Sequence, residues 1–177
     1  MWKLESATGN WIWIRGLLEI PGDIAVEPVY GTKGVPDPAN HPGRRGGTFG
    51  PDSGHVTWTD AAGDFWFLDG LELWKYNIAS NQWTWMETFP ATPNHGNKGV
   101  AAAANSPGQR NGSVLWTDKN KDVWLFGGSD YTDLWKYSSG SGLWTWVHGS
   151  KNPDPRAEYG TKGVPANSNH PGVRSYG

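Results

Sequence analysis

Asp133-Leu-Trp-Lys-Tyr137 and, after the turn S-S-G-S-G at Ser138–Gly142, Leu143-Trp-Thr-Trp146 decide the fold of this chain. Successive side chains in a strand point to opposite faces. Trp144 and Trp146 therefore share a face with Thr145 opposite, and Trp135 shares one with Tyr137, with Lys136 opposite. The same text stands elsewhere. L-W-K-Y recurs at Leu73–Tyr76, with a worn W-K-L at Trp2–Leu4, and W-T-W recurs at Trp83–Trp85, with W-I-W at Trp11–Trp13. Two aromatic strands and a short turn, repeated, describe a β-meander unit.

Further motifs keep this register. Y-G-T-K-G-V-P at Tyr30–Pro36 recurs at Tyr159–Pro165, with H-G-N-K-G-V at His95–Val100. P-G-x-R stands at Pro42–Arg45, Pro107–Arg110 and Pro171–Arg174. W-T-D occurs at Trp58–Asp60 and Trp116–Asp118, each followed by an aromatic strand, Phe65–Leu68 or Val123–Phe126. Trp74 and Trp135 lie 61 residues apart and Gly34 and Gly99 lie 65 apart, so the period is 60 to 70 residues with insertions in connecting loops. These motifs account for all 13 Trp of the chain. Repeated aromatics at alternating positions are core positions between stacked sheets, and no Trp is left over for a private ligand.

Four strands per full unit follow. In the second unit they are expected near Val56–Thr59, Phe65–Leu68, Leu73–Asn77 and Trp83–Met86. In the third they are expected near Ser113–Thr117, Val123–Gly127, Leu134–Tyr137 and Leu143–His148. Gly and Pro interrupt every window long enough for a helix. The fold class is all-β, built of four-stranded antiparallel meanders. These are β-propeller blades in pattern, incomplete at about two and a half to three blades. Residues 1–177 form a single repeat array: 1–55 a partial first blade plus long loop, 56–111 a blade and inter-blade loop, and 112–177 a blade and loop leading to a missing strand.

The order strand, W-T-D, strand ending in G-G, D-L-W-K-Y, W-T-W resembles kelch-type repeats, specifically the bacterial kelch arrays related to the galactose oxidase propeller. Gly127-Gly128 matches the double glycine of that family. Tyr137 and Trp144, like Tyr76 and Trp83, match its Tyr–Trp pair. Asp69-Gly70 departs from the double glycine, Leu4 stands where Tyr is expected, and Gly16–Val29 has no counterpart in the other units. The resemblance implies a propeller that recognises a protein or glycan, or one completed by self-association or further blades. It also implies an extracellular or cell-surface location.

Composition narrows the function. The net charge of −2 gives no general pull toward nucleic acid or an anionic membrane. No apolar run reaches the roughly 20 residues of a membrane span, and the start M-W-K-L-E-S lacks the pattern of a signal peptide. There is no Cys, which excludes thiolate metal sites, cysteine nucleophiles and the tyrosine–cysteine cross-link of the oxidase chemistry known in the resembled family. His41, His55, His95, His148 and His170 show no zinc spacing, and turn or loop roles are expected of them. Asp118, Asn120 and Asp122 start like a calcium loop but lack its glycine and distal glutamate. Gly31-Thr-Lys-Gly34 misses the spacing of a phosphate loop, and its glycines are expected to turn the chain at positive φ. The chain is therefore read as a non-enzyme, with no catalytic residue, metal or cofactor nominated.

One set of residues repeats with chemistry attached: Lys33, Lys98 and Lys162, with Arg44, Arg110 and Arg174. Equivalent positions of a propeller form a ring, where forked guanidinium donors could hold an anionic or hydroxyl-rich ligand. The same arginines could instead bind backbone carbonyls between blades and lock the loops. Sequence alone leaves both readings open.

Overall fold

The computed structural model describes residues 1–16, 26–43, 56–69, 71–153 and 156–173. Among them there is no helix, and the strands form three antiparallel sheets. β1 (Trp2–Glu5) and β2 (Asn10–Trp13) make a two-stranded hairpin. β3 (Val56–Thr59), β4 (Phe65–Leu68), β5 (Glu72–Asn77) and β6 (Gln82–Thr88) make a four-stranded meander in chain order. β7 (Ala101–Ala102), β8 (Val114–Thr117), β9 (Val123–Gly128), β10 (Tyr131–Ser138) and β11 (Leu143–His148) make a five-stranded sheet ordered β7-β11-β10-β9-β8.

The eight strands expected of the second and third units are all present; β5, β6, β9 and β10 run beyond the expected ends, and β8 starts one residue later, at Val114. β7 is the addition. It belongs to the loop after the second sheet, yet pairs with β11 of the next sheet, Ala102 opposite Trp144. The run of four alanines from which it comes, Ala101–Ala104, carries no strand signal, so backbone pairing across units makes this strand rather than propensity. The sheets do not close into a barrel or wheel among the described residues.

Turn chemistry explains how one unit departs from the other. Ser129 and Asp130 join β9 to β10, and both hold positive φ (48 and 67 degrees), the geometry of a two-residue type I′ hairpin. Gly128 before it leaves no room for a Cβ, which would stand 2.3 Å from Ser113 Oγ. The second unit solves the same corner with a side chain. Asp69 Oδ1 accepts the Leu71 and Glu72 amides at 3.0 and 2.8 Å. A carboxylate acceptor thus serves the unit in which the double glycine is missing.

The aromatic alternation sets the packing. Trp58, Trp66 and Leu68 form one face of the four-stranded sheet and are buried against Val123, Leu125, Tyr137 and Trp144 of the five-stranded one. Trp66 meets Tyr137 edge to face at 5.7 Å. The opposite face, Trp74, Tyr76 and Trp83, packs with Phe65, Phe67, Tyr30 and Ile14. Burial of large rings is the main stabilisation of a chain so poor in long aliphatics. Each W-T-D aspartate anchors its hairpin. Asp118 accepts Trp124 Nε1 and the Asn120 and Asp122 amides; Asp60 accepts Trp66 Nε1 and the Ala62 and Asp64 amides. The carboxylate that mimicked a calcium ligand is thus a turn acceptor.

Candidate functional site

Two clusters merit a functional reading, and the first is interior. Arg110 is buried, and its fork meets both oxygens of the fully buried Asp133. Arg110 Nη1 also donates to Gly127 O at 3.1 Å and Nε to Pro107 O at 2.6 Å. His95 Nε2 and Trp135 Nε1 each lie 2.8 Å from Asp133 Oδ2. Burial lowers the His95 pKa, against the opposing bond and charge of Asp133, so the imidazole is held neutral as an Nε2–H donor. Its ring stands among Trp135 and Trp146 at 5.0 and 5.1 Å. The preceding unit builds the same node from other residues: Tyr30 hydroxyl and Trp74 Nε1 both donate to Glu72. A longer carboxylate and a phenol replace a shorter carboxylate and an imidazole.

The second cluster is open. A cleft of about 370 Å³ lies where the Lys33 loop, the end of β6 and the start of β11 meet. Lys33, Glu87 and Tyr137 bring an amine, a carboxyl and a phenol to it, and Met86 and Trp144 give it apolar walls. Asn105 also lines it, but its Nδ2 is spent on Val100 O and Trp144 O at 2.8 and 2.9 Å. Burial raises the Glu87 pKa, with Lys33 pulling the other way. Burial also raises the pKa of Tyr137, with the Glu87 charge adding to it, so its hydroxyl stays protonated.

The nominated residues separate accordingly. Lys33 lines the cleft and Arg110 does not. Lys98 Nζ sits 4.6 Å above the Trp146 ring, Lys162 is exposed, and Arg44 and Arg174 lie outside the described residues. His55 also lies outside them. His41 Nδ1 accepts the Gly43 amide at 3.2 Å, and Ser106 Oγ does the same for Gly108 at 3.3 Å. Among the described residues no group of three His, Asp or Glu is placed to hold a metal ion. Glu87 lies outside every repeated motif, and Asp133, read as the first residue of a strand motif, was not nominated as a buried acceptor because its position holds Glu72 in the second unit. A recurrent N-x-P-G at Asn40, Asn105 and Asn169 was a signal that could have found the loop asparagines. No family model, no curated protein and no solved structure matches this chain.

The raised Glu87 pKa makes a prediction with a definite sign. The fold favours the neutral carboxyl. Its contribution is therefore fully present below the unfolded value, 4.5, and is lost as pH rises through the higher folded value. Glu87→Gln should raise the melting temperature at pH 7, and the gain should vanish near pH 3.5, below both values. Thermal melts at the two pH values check this; an equal gain at both would show that the charge is not the cause.

Proposed function

We propose that this chain is a non-catalytic binding module of kelch-like, propeller-blade type, and that the cleft at Lys33 takes a hydroxyl-rich ligand, a short glycan. The observation that carries the reading is the meeting of Lys33, Glu87 and Tyr137 between two sheets, with Trp144 and Met86 as walls. An ammonium, a carboxyl and a phenol together offer donors and acceptors matched to vicinal hydroxyls, and a few convergent polar groups on apolar walls are the usual make-up of a ligand site. The four-stranded meanders and their aromatic register support the blade assignment. The non-catalytic reading is supported by the His95, Asp133 and Arg110 cluster, whose donors and acceptors are turned on one another in the interior.

A glycan array followed by calorimetry tests this. A bound glycan should lose about tenfold in affinity in Lys33→Ala, the loss of one charge-assisted hydrogen bond, while Lys119→Ala on a remote turn leaves it unchanged. Absence of glycan binding, or binding indifferent to Lys33, would defeat the assignment. A bound protein segment at the same cleft would keep the module and change its ligand.

A second reading, a structural repeat that assembles with copies of itself, has its own observation. Trp58 and Trp116 occupy the same position in successive units. Trp58, covered by the next sheet, is 8 % exposed; Trp116, on the outer face of the last sheet, is 44 % exposed. Trp2, Leu4, Trp11 and Trp13 are exposed at the other end. Apolar faces of this extent mark association sites.

A further inference from the structure

Three loops of the chain are built alike. Residues 29–41, 94–106 and 158–170 are each closed by an antiparallel bridge: Val29 with His41, Asn94 with Ser106, and Glu158 with His170. Inside each, the same two turns recur. Val35, Val100 and Val164 donate to the carbonyls of Thr32, Asn97 and Thr161. Asn40, Asn105 and Asn169 donate to those of Asp37, Ala102 and Ala166. The Asn side chain lies against a glycine at positive φ, so close that a Cβ on Gly31, Gly96 or Gly160 would stand 2.3, 2.3 or 2.4 Å from Oδ1.

Two of these loops grip the outer edge of the next W-x-W strand. Gly34 N donates to Trp85 O at 2.8 Å, Asn40 Nδ2 to Trp83 O at 3.1 Å, and Asp37 pairs with Trp83. Gly99 N donates to Trp146 O at 2.8 Å, Asn105 Nδ2 to Trp144 O at 2.9 Å, and Ala102 pairs with Trp144. The third loop has the same internal bond, Asn169 Nδ2 to Val164 O at 3.0 Å. Among the described residues, no strand receives its second Nδ2 hydrogen or the Gly163 amide. One W-x-W strand stands in the complementary position. β2 pairs with β1 on one side, and among the described residues nothing pairs with its other edge. Trp11 is 65 % exposed.

We propose that loop 158–170 of one copy clasps the β2 edge of a second copy. The repeat sets the register: Asn169 Nδ2 to Trp11 O, Gly163 N to Trp13 O, Ala166 opposite Trp11 and Pro165 opposite Ile12. A second copy is the occupant because two existing contacts of this chain already use the same loop on the same strand type. The association also brings Trp124 toward Leu4 as Trp66 lies against Tyr137 within one chain, so both uncovered faces leave water together. The contact is heterologous, head to tail, and propagates to a ring or an open chain. The inference rests on the self-assembly reading and adds the two surfaces and their pairing.

Absence of cysteine makes the test direct. One preparation carries Ala166→Cys and another Trp11→Cys, both at exposed positions; they are mixed and oxidised mildly. Directly opposed residues of an antiparallel pair have Cα atoms about 4.5–5.5 Å apart, within reach of a disulfide. The expected product is a mixed dimer joined through positions 11 and 166, in yield well above that of Lys119→Cys with Trp11→Cys. Adding Asn169→Ala should lower the yield about fivefold, as for one lost hydrogen bond. The neighbouring pair, Ile12→Cys with Pro165→Cys, reads out the same register with both tryptophans kept. Yields equal to the control for both pairs would overturn the clasp. If sedimentation of the unmodified chain then still showed oligomers, self-assembly would stand through another surface; a monomer at the cross-linking concentration would remove both.

Discussion

Asp133→Asn should destabilise the chain by about 3–5 kcal/mol, the cost of breaking a buried ion pair by removing one partner. Asp133 is fully buried and accepts from Arg110, His95 and Trp135 at once. The amide can accept on one oxygen only and brings two hydrogens of its own into a set of donors. The Arg110 charge is then left in the interior without its carboxylate. Urea unfolding at pH 7 measures the loss. A change below 1 kcal/mol would mean that water reaches the cluster and that its burial does not persist in solution. Because Asp133 joins residues from the loop before β8 and from β10, its loss should loosen the seam between loop and sheet rather than one hairpin.

Trp58→Ala and Trp116→Ala form the second test, a comparison of one repeat position in two settings. Trp58 stacks on Trp66 at 5.7 Å and is covered by the neighbouring sheet; Trp116 stacks on Trp124 at 6.2 Å and faces outward. The first substitution removes a buried ring and should cost about 3–5 kcal/mol. The second removes a half-exposed one and should cost about 1 kcal/mol in dilute solution, mainly the lost stacking. Equal costs at low concentration would contradict the difference in cover. A Trp116→Ala cost that grows with protein concentration is the signature of a second copy on that face.

The aromatic alternation made the strands legible. Trp83 and Trp85 with Thr84 between them, or Trp135 and Tyr137 with Lys136, can satisfy a half-buried pleat and little else, and both recur with Gly-rich turns between them. The loop glycines were legible for a related reason: Gly31, Gly34, Gly96, Gly99, Gly160 and Gly163 all hold positive φ, as a repeated glycine pair in a turn suggested. The candidate site was only partly legible. Lys33 could be nominated because it recurs in each unit, but its neighbours Glu87 and Tyr137 come from other elements and meet it only across a sheet boundary. Arg110 carried two open readings, a ligand ring or an internal lock. Its surroundings, Asp133 and two backbone carbonyls, depend on how the loop before β8 folds over β10.

The sequence by itself determined the class of this protein: aromatic strands of period two, short turns, a unit of 60 to 70 residues, and no cysteine or metal spacing. Those are local properties, written in the residues that carry them. Tertiary structure alone decided that Arg110 is spent in the interior while Lys33 lines an open cleft, and that an alanine-rich loop supplies a strand to the next sheet. It also decided that two like tryptophans, 58 and 116, differ in exposure. The physical reason is that burial and pairing belong to surfaces brought together from different units, and identical motifs acquire different partners according to what stands beside them.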